Sequence, residues 1–269
     1  MKNKKKFNKI VENIKKIKIQ GARNIARAAL YAYSLSPTDS SKNKLIKARP
    51  TEPMLVNVLR NYESLGYKKT LEHFDEAQEK INKIVLKLIK NNSVIFTHCH
   101  STNVINSLIY AKKHGKKFEV YNTETRPLYQ GRKTARELKK AGVKVTTFID
   151  SAVNVALEKT QDTKKVDLIL LGSDAILKDG AINKIGSSVI AELAHKDKIP
   201  IYVVADSWKY SFHHLKIEER DFHEVWARVP HNIKVRNPAF ELVEKKYIKA
   251  IVSELGILSY DQFLRKVKK

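Results

Sequence analysis

The chain contains one cysteine, Cys99, and it lies where a reactive thiol could be placed. The apolar run 93–97 before it favours a short β-strand, and Ser101 stands where a helix would begin. A thiol beside the first amides of a helix has its thiolate favoured by the helix dipole. A buried structural cysteine is an equally good interpretation, because this residue is commonly buried as a small apolar group.

Asp174 is the carboxylate that could exchange protons beside such a thiol. It follows the apolar run 166–171, in the segment Gly-Ser-Asp-Ala-Ile at 172–176. A carboxylate at the end of a strand either forms a turn or acts as a catalytic acid or base. The spacing alone leaves both interpretations open, and the same holds for Asp150 at the end of another apolar run.

Three cations lie in or near the segments that follow the predicted strands: Arg126, Lys184 and Lys209. Together with Ser101 at a helix start, they are suited to phosphate groups. A single lysine is more often a solvated surface residue, so this interpretation depends on their joint occurrence. The chain has nine glycines and neither Gly-x-x-x-x-Gly-Lys nor Gly-x-Gly-x-x-Gly, which leaves a nucleotide-binding loop with little support.

The composition is that of a globular chain with a basic surface. The 269 residues are 42% hydrophobic and carry 52 Lys+Arg against 28 Asp+Glu, a formal net charge of +24. The lysines are spread along the whole chain and do not cluster with aromatic residues, which favours a solvated surface over specific nucleic-acid binding. One cysteine excludes a disulfide within the chain and nearly excludes a cysteine-based zinc site.

Neither a membrane segment nor a cofactor is expected. No apolar run approaches the roughly 18 residues of a membrane span, and no signal-peptide segment follows the basic N-terminus. We therefore expect a cytoplasmic protein without membrane contact. A metal site is not expected, because no carboxylate–histidine spacing accompanies the candidate ligands His98, His100, His213 and His214.

The elements that must position these residues fall into two parts. The first ninety residues show helical periodicity, strongest at 70–90. Five apolar runs then alternate with helical segments, at 93–97, 118–122, 143–149, 166–171 and 200–205. Such alternation requires parallel strands with right-handed crossovers. We predict an α/β fold with a helical N-terminal domain (1–90) and a Rossmann-like, doubly wound parallel sheet domain (91–269) that carries the active site. The segment 247–254 predicts a closing helix.

The polar segments that follow the five strands are predicted to meet in one cleft. Ligands bind beyond the carboxyl ends of the strands in open parallel sheets. The segments placed there are 97–101, 123–127, 150–151, 172–175 and 206–209.

Five motifs occur in an order that resembles a known superfamily. They are Thr-His-Cys-His-Ser at 97–101, Thr-Glu-Thr-Arg-Pro-Leu-Tyr-Gln-Gly at 123–131, Gly-Ser-Asp-Ala-Ile at 172–176, Gly-Ala-Ile-Asn-Lys-Ile-Gly at 180–186 and Asn-Pro-Ala-Phe at 237–240. The superfamily unites archaeal ribose-1,5-bisphosphate isomerase, methylthioribose-1-phosphate isomerase and the regulatory subunits of translation initiation factor 2B. Its isomerases pair a cysteine with an aspartate, and this sequence has both. The His-Ser after Cys99 and the segment 206–209 look more like the ribose-bisphosphate branch.

The resemblance implies an isomerase that converts ribose 1,5-bisphosphate to ribulose 1,5-bisphosphate in AMP or nucleoside salvage. In that mechanism the Cys99 thiolate takes the proton from C2 of the sugar, and protonated Asp174 gives a proton to the ring oxygen. A homodimer or homohexamer is implied, and AMP is a candidate effector. The family's phosphate-binding positions carry over to Arg49, Ser101, Thr102, Asn103, Asn183, Lys184 and Lys209.

One segment departs from the family pattern, which has Arg-Gly-Ala-Gly where this chain has Gln20, Gly21, Ala22 and Arg23. We expect these four residues to line the substrate site. Arg23 either replaces the lost guanidinium or leaves that phosphate contact broken. Two alternatives stay open on the sequence: a noncatalytic regulatory subunit whose partner is initiation factor 2, and a methylthioribose-1-phosphate isomerase.

Overall fold

Helices make up the N-terminal part, as its periodicity predicts. The computed structural model describes residues 2–160 and 162–268. Its first elements are α1 (Lys2–Lys15), α2 (Ala22–Leu35), α3 (Asp39–Ala48) and α4 (Pro53–Leu88). Thr38 begins α3, because its side chain accepts a hydrogen bond from the Ser41 amide at 3.2 Å. Pro53 opens α4, at a position where a missing amide hydrogen costs nothing.

Helix α4 contributes to two cores. Gly66, at φ +74°, interrupts its helical geometry. Before this kink, Leu55 and Leu59 pack among α1, α2 and α3. After it, Ile81 and Val85 pack against the sheet. Burying each such side chain contributes about 1.5–3 kcal/mol. The division of the chain into domains near residue 90 stays a prediction.

The strands, in chain order, are β1 (Ser93–Thr97), β2 (Phe118–Thr123), β3 (Lys144–Phe148), β4 (Leu168–Leu171), β5 (Ala175–Ile176), β6 (Gly180–Lys184), β7 (Ile201–Val204), β8 (Phe240–Glu244), β9 (Ala250–Ser253) and β10 (Gly256–Leu258). A seven-stranded sheet has the order β10-β9-β7-β4-β1-β2-β3. Its neighbours pair in parallel, except that β10 is antiparallel to β9. The predicted α/β class is confirmed.

Helices cover both faces of this sheet. They are α5 (Thr102–Lys113), α6 (Gln130–Lys140), α7 (Val153–Leu157), α8 (Ser187–Lys196) and α9 (Tyr260–Val267). Alternation along β1 shows the two layers, because Ile95 joins the core with α4, α5 and α6, whereas Phe96 joins the core with α7, α8 and α9. The fold is therefore doubly wound.

The predicted closing helix at 247–254 is wrong. Lys245–Tyr247 forms a short 3-10 turn, and Ala250–Ser253 is strand β9, parallel to β7. All four residues of β9 are buried. A short run of consecutive apolar residues fits both the two-residue period of a strand and the 3.6-residue period of a helix. Periodicity alone therefore could not separate the two. The last helix is α9.

A small antiparallel sheet, β5-β6-β8, follows the carboxyl end of β4 and was not predicted. Its register places Lys184 opposite Phe240. Gly180 permits the close pairing of β6 and β8, since a Cβ there would lie 2.3 Å from the Val243 carbonyl oxygen. This sheet brings the motif at 180–186 over the end of β4.

In the ranges 2–160 and 162–268, each helix lacks the length or the apolar character that a membrane crossing requires.

Candidate active site

A cavity of about 210 Å³ lies where the carboxyl ends of β1 and β4 meet. The chain runs outward from β1 to one edge of the sheet and from β4 to the other, so this is the topological switch point, where open α/β sheets bind ligands. The cavity brings together all predicted site residues but one: Gln20, Gly21, Ala22, Arg23, Arg49, Cys99, Ser101, Thr102, Asn103, Asp174, Asn183, Lys184 and Lys209.

Arg126 is the predicted site residue that does not line the cavity. Its side chain is exposed, and its guanidinium donates to the Tyr129 hydroxyl at 2.7 Å and to the Val225 carbonyl at 3.1 Å. The neighbouring carboxylate Asp150 accepts the amides of Thr125 and Arg126 at 2.8 and 2.6 Å. This arrangement gives Asp150 the turn-forming role.

The backbone of Cys99 is held in an unusual conformation at the end of β1. Its φ is +68°, in the left-handed region that costs about 1–2 kcal/mol for a side chain with a Cβ. The Cys99 amide donates to Thr125 Oγ1 at 3.0 Å, and its carbonyl accepts from Thr134 Oγ1 at 2.8 Å. Two threonines from neighbouring segments therefore fix the position of the half-buried thiol at the cavity wall.

Burial dominates the acidity of Cys99. Loss of hydration raises the pKa of its thiol to about 11, Lys184 lowers the pKa, and Asp174 raises it. The sequence predicted a thiolate favoured by the helix that follows. Helix α5 begins three residues later, at Thr102, but burial shifts the pKa of the thiol upward. At neutral pH the thiol form dominates.

The histidines beside Cys99 are engaged elsewhere. The buried ring of His98 donates through Nε2 to the Ile185 carbonyl at 2.9 Å, and its Nδ1 accepts from the Thr123 hydroxyl. Burial lowers the pKa of His98, which agrees with this neutral form. His100 Nε2 lies 3.0 Å from Glu137 Oε2. These contacts tie β1 to its neighbours.

Asp174 is half-buried and lines the same cavity as Cys99. Its amide donates to the Ile182 carbonyl at 2.8 Å, which ties it to β6. Burial raises the pKa of its carboxyl, and the positive charges of Lys209, Lys184, Arg49 and Arg220 act in the opposite direction. A carboxyl with a raised pKa stays protonated to higher pH than a solvated aspartate does, so it still has a proton to give to a ligand.

Lys184 is a buried cation at the end of β6. Only 5% of it is exposed, and its Nζ lies 4.7 Å from the centroid of the Phe240 ring. No residue that the structure describes forms an ion pair with it. Burying an ammonium group without a carboxylate is costly, so this arrangement is suited to an anion that enters the cavity.

Lys209 is positioned by a capped turn after β7. The side chain of Asp206 accepts from the Trp208 amide at 2.9 Å and begins the 3-10 turn Ser207–Lys209. Lys209 Nζ then donates to the Ser173 carbonyl at 2.6 Å, next to Asp174. A second buried cation is thereby fixed beside the carboxyl.

The start of α5 offers a third group for an anion. The buried Ser101 Oγ has no hydrogen-bond partner among the described residues. Gly172 leaves it room, since a Cβ at residue 172 would lie 2.4 Å from the Ser101 Cβ. The first amides of a helix, here from Thr102 onward, favour phosphate. The side chains of Asn103 and Asn183 are already bound, to Gln78 at 3.0 Å and Ser187 at 2.9 Å.

Both predicted arginines already have carboxylate partners. Arg23 donates to Asp75 at 2.5 Å and to the Phe74 carbonyl at 2.8 Å. Arg49 forms two hydrogen bonds with Glu218. Gln20, where the family pattern has arginine, lines the cavity and donates to the Ile17 carbonyl at 3.3 Å. An anion at this end of the cavity competes with Asp75 and Glu218 for these guanidinium groups.

Sequence reasoning missed several residues of the cavity wall. Chief among them are Glu52 and Arg220. Glu52 stands between Pro50 and Pro53, and these two prolines interrupt the helical pattern there. Arg220 lies in the long connection before β8, where no periodic pattern draws attention to it.

The helical N-terminal part, the doubly wound sheet and the motifs around its switch point define a single class. The chain belongs to the initiation factor 2 subunit family, which matches residues 63–260. The resemblance drawn from the motifs is confirmed.

Individual relatives include enzymes and translation factors. The chain is 36% identical to the ribose 1,5-bisphosphate isomerase of Methanocaldococcus jannaschii, over 92% of this chain and 89% of that protein. The solved translation initiation factor eIF-2B of Pyrococcus horikoshii OT3 has a TM-score of 0.82 at 26% identity, covering 94% of this chain and 96% of that one. The 5-methylthioribose 1-phosphate isomerase of the same organism shares the fold, with a TM-score of 0.78 at 23% identity over 97% of this chain and 87% of that one.

Proposed function

We propose that the chain is an isomerase that converts ribose 1,5-bisphosphate to ribulose 1,5-bisphosphate. The observation that carries this proposal is the meeting of Cys99 and Asp174 in one cavity with two buried lysines, Lys184 and Lys209. A thiol, a carboxyl with a raised pKa and cations are the groups that proton transfer on a phosphosugar needs. The similarity to the isomerase of M. jannaschii supports the same substrate.

The proposed reaction moves protons and needs no oxidant. Asp174 protonates the ring oxygen while the bond between that oxygen and C1 breaks. The thiolate form of Cys99, the minor form at neutral pH, removes the proton on C2, which gives an enol phosphate between C1 and C2. A proton then returns to C1, and the hydroxyl on C2 loses its proton to become the ketone. The positive groups at the cavity wall stabilise the electron-rich intermediate.

The two phosphates would bind at opposite ends of the cavity. Ser101, the first amides of α5 and Lys184 suit one phosphate. Arg23 and Arg49, with Gly21 and its neighbours, suit the other. Because both guanidinium groups start with carboxylate partners, the second phosphate binds by exchange of partners.

The test is turnover of ribose 1,5-bisphosphate by the purified full chain, followed by phosphorus and carbon NMR. We expect ribulose 1,5-bisphosphate as product and at least a hundredfold lower kcat for Cys99→Ser and for Asp174→Asn. Asp179→Asn, an exposed carboxylate in the same region, is the matched control. Inactive wild-type protein, or full activity in both variants, would contradict the proposal.

A second candidate function is a noncatalytic subunit of the initiation-factor type. The guanidinium groups of Arg23 and Arg49 already have carboxylate partners, which favours this function. A protein that binds no phosphosugar does not need these groups free for a phosphate. It predicts association with initiation factor 2 and no turnover, which a pull-down and the same NMR assay would measure. A third candidate, methylthioribose-1-phosphate isomerase, predicts turnover of the single-phosphate substrate that is insensitive to Arg23→Met and Arg49→Met.

The same proposal includes assembly into a homodimer or homohexamer and activation by AMP. Sedimentation velocity of the full chain measures the assembly. AMP as an effector is checked by turnover with and without it, and a role in nucleoside salvage depends on that result.

A further inference from the structure

Glu52 occupies the residue before α4, where a side chain usually caps a helix. An oxygen at this position commonly accepts a hydrogen bond from an amide of the first turn. The Glu52 side chain makes no such bond. Only its backbone takes part in the turn, with its amide donating to the Arg49 carbonyl at 3.2 Å. The carboxyl therefore has no role in starting the helix.

The carboxyl is nevertheless buried. Glu52 is 5% exposed, and its Oε1 has no hydrogen-bond partner in the part of the chain that the structure describes. The nearby cations have other partners, since Arg49 binds Glu218 and Lys209 binds the Ser173 carbonyl. A buried polar atom without a partner is costly, so such an atom at a cavity wall points to a group that binds there and completes its hydrogen bond.

Glu52 shares its surroundings with Asp174. Both residues line the main cavity and also a smaller one of about 20 Å³ beside it. Burial and the charge of Asp174 raise the pKa of Glu52 to about 8, while Lys209 and Arg49 lower it. At neutral pH the group is largely a neutral carboxylic acid, which can donate one hydrogen bond and accept others.

We propose that Glu52 is a further substrate-binding residue, whose carboxyl forms a hydrogen bond with a hydroxyl group of the pentose next to Asp174. This inference rests on the proposed function. In ribose 1,5-bisphosphate the free hydroxyls are those on C2 and C3, so one of these two is the partner. The contact selects a sugar phosphate with that hydroxyl over one that lacks it.

The test measures binding in the Cys99→Ser background, where substrate is not consumed. Dissociation constants are measured by calorimetry for ribose 1,5-bisphosphate and for its 2-deoxy and 3-deoxy analogues. We expect Glu52→Ala to weaken binding of the parent sugar about 10- to 100-fold, and binding of one deoxy analogue less than about threefold. Glu52→Gln, which keeps a donor and an acceptor, should retain binding within about tenfold. Glu76→Ala, an exposed carboxylate on α4, is the control.

Unchanged binding of ribose 1,5-bisphosphate by Glu52→Ala would overturn the inference. Equal weakening for the parent sugar and both deoxy analogues would also overturn it, because the role of Glu52 would then be structural. Thermal melts confirm folding, and Glu52→Met, of similar length without a hydrogen-bonding group, replaces the alanine variant if that one is unfolded. Wild-type protein that does not turn over ribose 1,5-bisphosphate contradicts the proposed function itself. Active wild-type protein with unchanged selectivity in the Glu52 variants contradicts this inference alone.

Discussion

The guanidinium of Arg49 forms two hydrogen bonds with the carboxylate of Glu218, at 3.1 and 2.5 Å. The pair links the turn before α4 to the long connection between β7 and β8. Glu218 Oε1 also lies 3.2 Å from Nε of Arg220. One carboxylate thus contacts two cations that line the cavity.

Removing this carboxylate should strengthen phosphate binding. In Glu218→Gln the Arg49 guanidinium no longer has an anionic partner to exchange, so we expect ribose 1,5-bisphosphate to bind the Cys99→Ser protein about three- to tenfold more tightly. Calorimetry measures the change. Glu219→Gln, which removes the neighbouring carboxylate paired with Arg236, is the control. Weaker binding in Glu218→Gln would show instead that Glu218 positions Arg49.

The raised pKa of Cys99 predicts its reactivity. With a pKa of about 11, the thiolate fraction increases about tenfold for each pH unit up to that value. Alkylation by iodoacetamide should therefore accelerate without levelling off between pH 7 and 10. Intact mass measures it directly, because the chain has one cysteine. A small-molecule thiol with an ordinary pKa is the control, and a plateau near pH 9 in the protein would contradict the effect of burial.

Lys184 should make the Cys99 thiol more reactive. Its positive charge lowers the pKa of Cys99 against the effect of burial. We expect Lys184→Met to slow alkylation of Cys99 at pH 9 about three- to tenfold, since the thiolate loses a nearby cation. Lys178→Met removes an exposed lysine from the same region and serves as control. Equal alkylation rates in Lys184→Met and Lys178→Met would show that Lys184 does not affect the pKa of Cys99.

Gly172 and Ser101 should behave as a coupled pair. A Cβ at residue 172 would lie 2.4 Å from the Ser101 Cβ, so Gly172→Ala must displace the start of α5. We expect a loss of about 1–3 kcal/mol in the free energy of unfolding. Ser101→Gly alone should cost only a few tenths of a kcal/mol, and the double variant should recover most of the loss. Urea unfolding of all four proteins measures the coupling, which additive effects would disprove.

Glu52 should make stability depend on pH. The folded state raises the pKa of this group from 4.5 to about 8, so folding favours its protonated form. That stabilisation is complete below about pH 4.5 and is lost as the pH rises through about 8. Glu52→Gln should therefore gain stability relative to wild type over this window, by at most about 1.4 kcal/mol per pH unit.

Urea unfolding at pH 5, 6.5 and 8 measures this difference. Glu76→Gln, on the exposed side of α4, should show none. A difference between Glu52→Gln and wild type that stays constant with pH would contradict a raised pKa at this position.

The sequence predicted the parallel core because it depends on local signals, whereas the cysteine–aspartate pair was predicted from the resemblance to the superfamily. Runs such as 93–97 are bounded by turns, and the polar residues after them must gather at one edge of a parallel sheet. The strand at 250–253 and the small sheet that holds Lys184 could not be predicted, since their pairing is set by distant partners. The acidity of Cys99 was also beyond the sequence, because it depends on packing from several segments. Glu52 carried no motif, and only its burial draws attention to it.

Helix α4 runs from the cavity wall, past the kink at Gly66, onto the sheet without a break in the chain. Near its start, Asn57 donates to the carbonyls of Trp208 and Tyr210 at 2.7 and 2.8 Å and so clamps the turn that carries Lys209. Near its end, Ile81 and Val85 cover strands of the sheet. A fragment that begins after residue 90 would lack the Asn57 hydrogen bonds and would expose the apolar face of the sheet that α4 covers. We therefore do not expect the sheet part to fold stably on its own.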